Sequence, residues 1–246
     1  NLRRPVRFRS AMGKTGRARG SGVWALLCVT AAIGACAPAD RARHDAFTAT
    51  GEIIALGGGD AGVGHACATC HGLSGEGDGG STPRLAGLPA GYLVKQLQDY
   101  ADGRRADPVM GPIARAMSPE TRRMVSDYYA ARPAMVASAE QSEDAALAAR
   151  IYQHGAPERS IPACASCHGV HGEGGGGGHP PVWGQPSSYL ALQLWRWRRG
   201  VRQNDSGKTM LLVGQRLTPT EIEALGPYMA GLAGPPAAGE TAPFPP

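Results

Sequence analysis

The pentapeptide Cys67-Ala68-Thr69-Cys70-His71 occurs a second time in the chain, as Cys164-Ala165-Ser166-Cys167-His168. The spacing C-x-x-C-H is the attachment signature of a c-type haem: the thiols form thioethers with the porphyrin, and the adjacent imidazole binds the iron. A single C-x-x-C pair could instead belong to a zinc site or a dithiol redox pair. Because histidine follows both copies, the sequence favours two covalent haems, with iron ligands at His71 and His168.

The two motifs lie within a longer tandem repeat. Residues 67–103 align with residues 164–200, and after a short insertion around Asn204 to Gly207, residues 110–128 align with residues 210–228. A repeat of this length predicts two similar units. We place unit one at residues 46–131 and unit two at 143–232, joined by a linker over 132–142 and followed by an irregular proline-rich tail over 233–246.

Each unit is predicted to be all-α, with about three helices wrapped around one haem. In unit one the helices are expected near residues 47–56, near 91–101 and from Ser118-Pro119 onward, where serine is a favoured N-cap. In unit two they are expected near 143–153, around residues 189–197 and from Thr218 onward, where Glu221 completes a capping-box spacing. An interior Pro227 predicts a kink or an early end.

Such small units have little apolar mass of their own. The haem is expected to supply the rest of each core, so the chain without haem is predicted to be poorly folded.

The second axial ligand of each iron decides between electron transfer and ligand binding, because methionine keeps the iron six-coordinate and raises its potential. Met110 and Met210 occupy corresponding places, each eight residues before the N-cap of a last helix. They are the predicted sixth ligands. Three other methionines, Met117, Met124 and Met229, have no methionine at the equivalent position and are predicted to fill cores. Four histidines outside the motifs also lack equivalents and are expected on the surface or in loops: His65, His154, His171 and His179.

Two further groups are expected to act on the haems. A ligating histidine needs its other ring nitrogen held, and a backbone carbonyl of the loop at Pro83 or Pro180 is the expected acceptor. Arginines and tryptophans of the second unit are expected to pack on the porphyrin and neutralise its propionates rather than bind nucleic acid, and Arg104 and Arg105 are expected to do the same in unit one. The second-unit residues are Trp195, Arg196, Trp197, Arg198, Arg199 and Arg202.

The N-terminal region has the pattern of an export signal, with a basic stretch followed by an apolar run over residues 23–35. A signal peptide is predicted over 1–35. Ile33-Gly34-Ala35-Cys36 resembles a bacterial lipobox, which predicts lipid attachment at Cys36 and a periplasmic protein tethered to a membrane; ordinary cleavage within Ala35-Cys36-Ala37 is the alternative. The formal charge is +5, but the leader carries that excess and the remainder is slightly acidic, which argues against a nucleic-acid partner.

Together these residues resemble the di-haem cytochromes c of the cytochrome c4 type, which are two class I cytochrome c domains in tandem. The resemblance covers about residues 46–232 and is carried by the two C-x-x-C-H-G motifs and by residues 83–87, 92–97, 107–110 and 127–130. It implies haem-binding residues Cys67, Cys70, His71, Met110, Cys164, Cys167, His168 and Met210. Departures occur in unit two at residues 181–183, at the insertion before Met210 and at Pro227.

The family resemblance implies periplasmic electron transfer, commonly to a haem–copper terminal oxidase, with redox proteins and membrane respiratory complexes as partners. We therefore expect a carrier and not an enzyme. Two alternatives stay open. The chain could be the cytochrome subunit of a dehydrogenase complex, or a di-haem peroxidase, which would need one haem with an open sixth position.

Overall fold

The computed structural model of the chain describes residues 50–134, 142–176 and 178–235. The predicted signal peptide, Cys36, most of the linker and most of the tail lie outside these residues. Unit one contains α1 (residues 50–57), α2 (Cys67–His71), α3 (Ala90–Ala101), α4 (Met110–Ala116) and α5 (Pro119–Ala130). Unit two contains α6 (Ala145–His154), α7 (Ala165–His168), α8 (Ser187–Arg198), α9 (Thr209–Arg216) and α10 (Pro219–Ala230).

The all-α fold predicted from the sequence is confirmed, and in the described residues β pairing is limited to isolated bridges. The three helices predicted for each unit are present as α1, α3 and α5 and as α6, α8 and α10. Each unit also has two shorter helices. One carries the C-x-x-C-H motif, and the other begins at or beside the predicted methionine ligand. Over the described residues, no helix combines the length and apolar character needed to cross a membrane.

The starts of the last helices follow the local sequence. The side chain of Ser118 accepts a hydrogen bond from the Thr121 backbone N–H at the start of α5. At the start of α10, Thr218 and Glu221 form a reciprocal capping box. Each such cap satisfies N–H groups that have no partner within the helix. The caps fix where α5 and α10 begin, and therefore where the preceding short helices must end.

Of the two outcomes expected at Pro227, a kink or an early end, the early end does not occur, because α10 continues to Ala230. Proline removes only one backbone hydrogen bond here, in the last turns of the helix. Gly226 lets the helix pack closely on α8: a Cβ at this position would lie 2.8 Å from the Ser187 carbonyl oxygen and 3.1 Å from the Ala191 Cβ. Tertiary packing against α8 therefore holds the last turn in helical form.

Each unit has its own small hydrophobic core. The core of unit one joins α1, α3 and α5, with buried residues including Ile54, Leu93, Val125, Tyr128 and Tyr129. The core of unit two joins α6, α8, α9 and α10, with buried residues including Ile151, Tyr152, Leu190, Leu194, Val213, Ile222 and Leu225. The helices carrying the motifs, α2 and α7, lie at the edges of these cores, where Cys67 and Cys164 pack against them.

Candidate haem sites and the interface between the units

The short helices α2 and α7 bring the two cysteines of each motif to one face, because residues three apart are neighbours on a helix. The first cysteine of each pair faces the protein. Burial raises the pKa of Cys67 to about 11 and that of Cys164 to about 11. The second cysteine is more open: Cys70 is exposed and Cys167 is half-buried. Each unit thus presents one inner and one outer thiol along a single helical turn.

Both motif histidines have one ring nitrogen fixed by a backbone carbonyl. His71 Nδ1 lies 2.9 Å from the Pro83 oxygen, and His168 Nδ1 lies 2.8 Å from the Pro180 oxygen. Since a carbonyl only accepts, Nδ1 carries the proton in both rings. Burial lowers the pKa of both histidines below the ordinary value, which favours the neutral ring. The predicted contact with these loops is confirmed, and it leaves Nε2 free to bind a metal.

This donor set fits haem c. Two thiols at one-turn spacing can reach two vinyl groups on one side of a porphyrin, and the neighbouring imidazole offers Nε2 with its orientation already fixed. In the described parts of the chain, no three His, Cys, Asp or Glu residues converge on a point where a metal ion could be held. The four motif cysteines are therefore not gathered into a zinc-type cluster.

The predicted sixth ligands begin the short helices that precede the last helix of each unit. Met110 is the first residue of α4 and Met210 is the second residue of α9, and both are half-buried. The competing methionines lie elsewhere. Met117 and Met229 are buried in the cores, and Met124 packs against the core of unit one.

An aspartate holds the start of each methionine helix. Asp107 Oδ1 accepts from the Val109 and Met110 N–H groups at 3.0 Å each. Asp205 Oδ2 accepts from the Met210 N–H at 2.7 Å and from the next N–H at 3.3 Å. Sequence reasoning did not find these contacts, although Asp followed closely by a helix is a known capping signal. The other oxygen of Asp107 binds Arg196 of unit two, at 3.1 Å.

The four exposed histidines outside the motifs are where the sequence predicted them, at the surface: His65, His154, His171 and His179.

Two arginines and two glutamines at equivalent positions form the centre of the contact between the units. Arg105 donates to Gln96 Oε1 at 2.8 Å and across the interface to Gln193 Oε1 at 3.0 Å. Arg202 donates to Gln193 Oε1 at 2.8 Å and across the interface to Gln96 Oε1 at 3.2 Å. All four residues are buried. The arrangement has approximate two-fold symmetry, as expected for a tandem repeat.

This centre carries positive charge that no carboxylate in the described part of the chain balances. In the described residues, neither Arg105 nor Arg202 forms an ion pair with a carboxylate. Their terminal nitrogens share the Gln96 oxygen and so are at most about 6 Å apart. Two such charges repel by about 3 kcal/mol at an effective dielectric constant of about 20. Arg105 Nε is also buried without a hydrogen-bond partner. The interface centre is therefore positively charged, with one buried N–H that has no partner among the described residues.

Other arginines that the sequence predicted to neutralise propionates make contacts with other groups of the protein. Arg104 pairs with Asp99 and Asp102, and Arg198 donates to the carbonyl oxygens of Gln215 and Leu217. Of that group, Arg105 and Arg202 are the two that are both buried and without a carboxylate partner among the described residues. The sequence did not distinguish them, because the distinction depends on contacts between the units.

A second contact joins the loop after the first haem motif to the corresponding loop of unit two. Arg84 is fully buried and donates to the Gly184 oxygen at 3.2 Å and the Trp183 oxygen at 2.9 Å. Burial lowers the pKa of Arg84 to about 10, so it keeps its charge at neutral pH. Its backbone N–H donates to Gln185 Oε1 at 3.0 Å, and Gln185 Nε2 donates to the Arg84 oxygen at 2.9 Å.

The insertion in unit two makes a third contact between the units. Asn204 Nδ2 donates to Asp99 Oδ2 at 2.6 Å and to Gln96 Oε1 at 3.1 Å, and Lys95 Nζ donates to the Asn204 oxygen at 2.7 Å. The extra residues that break the repeat thus dock on α3 of unit one.

The duplicated haem-type donor sets and the helical units around them define the class of protein: two c-type cytochrome domains in tandem. The family model described as cytochrome c matches residues 59–135. The thiosulfate dehydrogenase electron acceptor of Stutzerimonas stutzeri (strain A1501) is 40% identical over 190 residues, which cover 76% of this chain and 88% of that protein. Cytochrome c4 of Pseudomonas aeruginosa is 32% identical over 185 residues, covering 73% and 92%.

Among solved structures, the as-isolated form of thiosulfate dehydrogenase (TsdBA) from Marichromatium purpuratum matches with a TM-score of 0.69 and 38% identity. The match covers 81% of this chain and 42% of that longer chain. The chain belongs to the cytochrome c4 family of di-haem cytochromes c. The resemblance seen in the sequence is confirmed, and covalent haem c is the cofactor.

Proposed function

We propose that this di-haem electron carrier accepts electrons from a thiosulfate dehydrogenase and passes them to a membrane respiratory complex, such as a haem–copper terminal oxidase. Two similarities support the donor. The 40% identical relative is named as an electron acceptor of thiosulfate dehydrogenase, and the solved thiosulfate dehydrogenase contains a region that this chain matches over most of its length. This donor corresponds to the dehydrogenase alternative left open by the sequence, and the oxidase is the acceptor that the family resemblance implied.

The residues proposed to hold the cofactors are the two thiols and one imidazole of each motif, with a methionine on the opposite face. They are Cys67, Cys70, His71 and Met110 in unit one, and Cys164, Cys167, His168 and Met210 in unit two. When bound, haem c supplies an iron that alternates between the ferric and ferrous states. The histidines are held by the Pro83 and Pro180 carbonyls. Arg105 and Arg202, which are buried at the interface without a carboxylate partner in the described residues, are the residues proposed to neutralise haem carboxylates.

One observation carries the proposal: the same donor set is built twice, on either side of an interface whose centre is polar, buried and positively charged. A held histidine and a capped methionine helix keep the ligands of each iron fixed. Fixed ligands suit electron transfer, whereas catalysis on the iron needs an exchangeable position. The arrangement therefore supports a carrier over the peroxidase alternative.

Rapid mixing tests the proposed donor. The oxidised protein is mixed with thiosulfate and a catalytic amount of purified thiosulfate dehydrogenase, and the haem absorption is followed. The proposal predicts reduction of both haems at a rate proportional to the dehydrogenase concentration, and none when either thiosulfate or dehydrogenase is omitted. If dithionite reduces both haems but the dehydrogenase with thiosulfate reduces neither, the proposed donor is wrong.

We also propose periplasmic export with a lipid tether at Cys36, supported by the basic and apolar leader and the lipobox-like Ile33-Gly34-Ala35-Cys36. Mass spectrometry of the mature N-terminal peptide tests this directly. A diacylglyceryl cysteine at Cys36 is expected. An unmodified N-terminus after cleavage at another position would contradict it.

A further inference from the structure

We infer that Gln185 of unit two tunes the axial histidine of the first haem through the peptide group between Pro83 and Arg84, and that the second haem has no corresponding control. The inference rests on the proposed role of His71 as an iron ligand. It makes Gln185 a positioning residue that acts on one haem of the pair from the other unit.

The connection is a chain of two hydrogen bonds through one amide. The carbonyl of that amide, on Pro83, accepts from His71 Nδ1 at 2.9 Å. Its N–H, on Arg84, donates to Gln185 Oε1 at 3.0 Å. The Gln185 amide cannot turn over without losing its second bond, from Nε2 to the Arg84 oxygen at 2.9 Å. Gln185 is only 5% exposed, so water does not compete readily for this amide.

Hydrogen bonds linked through an amide reinforce one another. When the N–H donates, electron density moves toward the carbonyl oxygen of the same group, which becomes a better acceptor. A better acceptor on Pro83 draws the Nδ1 proton of His71 and makes the imidazole a stronger donor to iron. Stronger donation stabilises the ferric state. Gln185 is therefore expected to lower the reduction potential of the first haem relative to the same site without it.

Unit two cannot build this chain. His168 Nδ1 donates to the Pro180 oxygen at 2.8 Å, but the next residue is Pro181, which has no N–H. The acceptor amide therefore has nothing to donate. The repeat also places Leu88, which is buried, where unit two has Gln185. Because of these two differences between the units, a side chain of unit two acts on His71, but no side chain of unit one acts on His168 in the same way.

Substitution of Gln185 tests the inference in the reduced, diamagnetic di-haem protein. NMR of the histidine Nδ1–H protons reads each axial ligand separately, and a spectroelectrochemical titration reads the two potentials. Gln185→Leu removes the acceptor, so the His71 Nδ1–H resonance is expected to move upfield and one haem potential to rise, while His168 and the other haem stay unchanged. Gln185→Glu gives the Arg84 N–H a stronger, anionic acceptor but loses the Nε2 donor to the Arg84 oxygen, so the His71 shift is expected in the opposite direction.

Asn204→Ala is the matched control, because it removes contacts between the units that lie outside this chain of bonds. It is expected to leave the His71 resonance in place. An unmoved His71 resonance in a di-haem Gln185→Leu protein would overturn the inference, as would equal movement of both histidines. If Gln185→Leu does not fold, an unmoved resonance in Gln185→Glu overturns it in the same way. A wild-type protein with no iron-bound His71 would refute the proposed function itself.

Discussion

Replacing Asp107 should loosen the proposed methionine ligand of the first haem. Its carboxylate accepts from the Val109 and Met110 N–H groups and from Arg196 of unit two. Loss of a capping acceptor costs about 1 kcal/mol, and a charge-assisted bond contributes about 1.5–3 kcal/mol. Asp107 is 15% exposed and Arg196 is 26% exposed, so solvent screens part of this energy. We expect Asp107→Ala to weaken the Met110 arrangement by about 2 kcal/mol.

Competition with an added ligand measures this weakening. Imidazole binds the ferric iron only when methionine leaves, so destabilising the methionine-bound state by about 2 kcal/mol raises the apparent imidazole affinity by up to about 30-fold. The assay is a titration of the methionine–ferric absorption band with imidazole, haem by haem. Asp107→Asn keeps acceptors for the two N–H groups but loses the ion pair, so its effect should be smaller. Asp205→Ala is the equivalent change for the second haem.

An Asp107→Ala protein with unchanged helix content and unchanged imidazole affinity at both haems would refute this reasoning. It would show either that Met110 is not the ligand or that Asp107 does not hold it. A change at the second haem alone would contradict the assignment of Met110 to unit one.

Three further outcomes are expected. Met210→Ala should let carbon monoxide bind one ferrous haem, whereas Met117→Ala should keep both haems closed and cost about 2–5 kcal/mol of stability as a core truncation. Carbon monoxide difference spectra and denaturant unfolding would check this. Carbon monoxide binding by Met117→Ala would contradict the choice of ligand. The Arg159 hydrogen bond lowers the pKa of Glu221 below its ordinary 4.5. The pair between Arg159 and Glu221 therefore stabilises the folded state fully above pH 4.5. This stabilisation is lost as pH falls through the lowered pKa of Glu221. In urea unfolding at several pH values, Glu221→Gln should be less stable than wild type at neutral pH and approach it in acid; a stability gap that persists in acid would argue against this ion pair. Arg202→Gln removes a buried positive charge, so potentiometric titration should give a lower reduction potential for at least one haem. Unchanged potentials would show that the Arg202 charge lies too far from both haems to affect them.

Features set by a few neighbouring residues were predictable from the sequence. The repeated motif specified the cofactor, and the start of α5 at Pro119 followed from the serine before it. The histidine contacts with Pro83 and Pro180 could also be anticipated, because a ligating imidazole needs a held second nitrogen and the loop with the proline follows each motif directly. In each case the determining groups lie within twelve residues of one another.

Features set by contacts between distant parts of the chain were not predictable in the same way. The local sequence does not distinguish Arg105 from its neighbour Arg104. Over the described residues, Arg105 is buried without a carboxylate partner, whereas Arg104 is exposed and forms ion pairs. Likewise, Pro227 predicts a disturbed helix from the sequence alone. The structure shows that α10 continues past it, with Gly226 packed closely on α8. The role of Gln185 depends on a partner about a hundred residues earlier in the chain. Such features need the tertiary arrangement, which the repeat pattern alone does not supply.

Carbon monoxide binding most directly tests whether both haems are closed carriers. The purified, mature protein is assayed for haem content, and its spectrum is recorded in the ferric state and then in the ferrous state with carbon monoxide. Two haems per chain, a methionine–ferric band and no spectral change with carbon monoxide are predicted. Binding of carbon monoxide at one haem would reveal an open iron and contradict the carrier function.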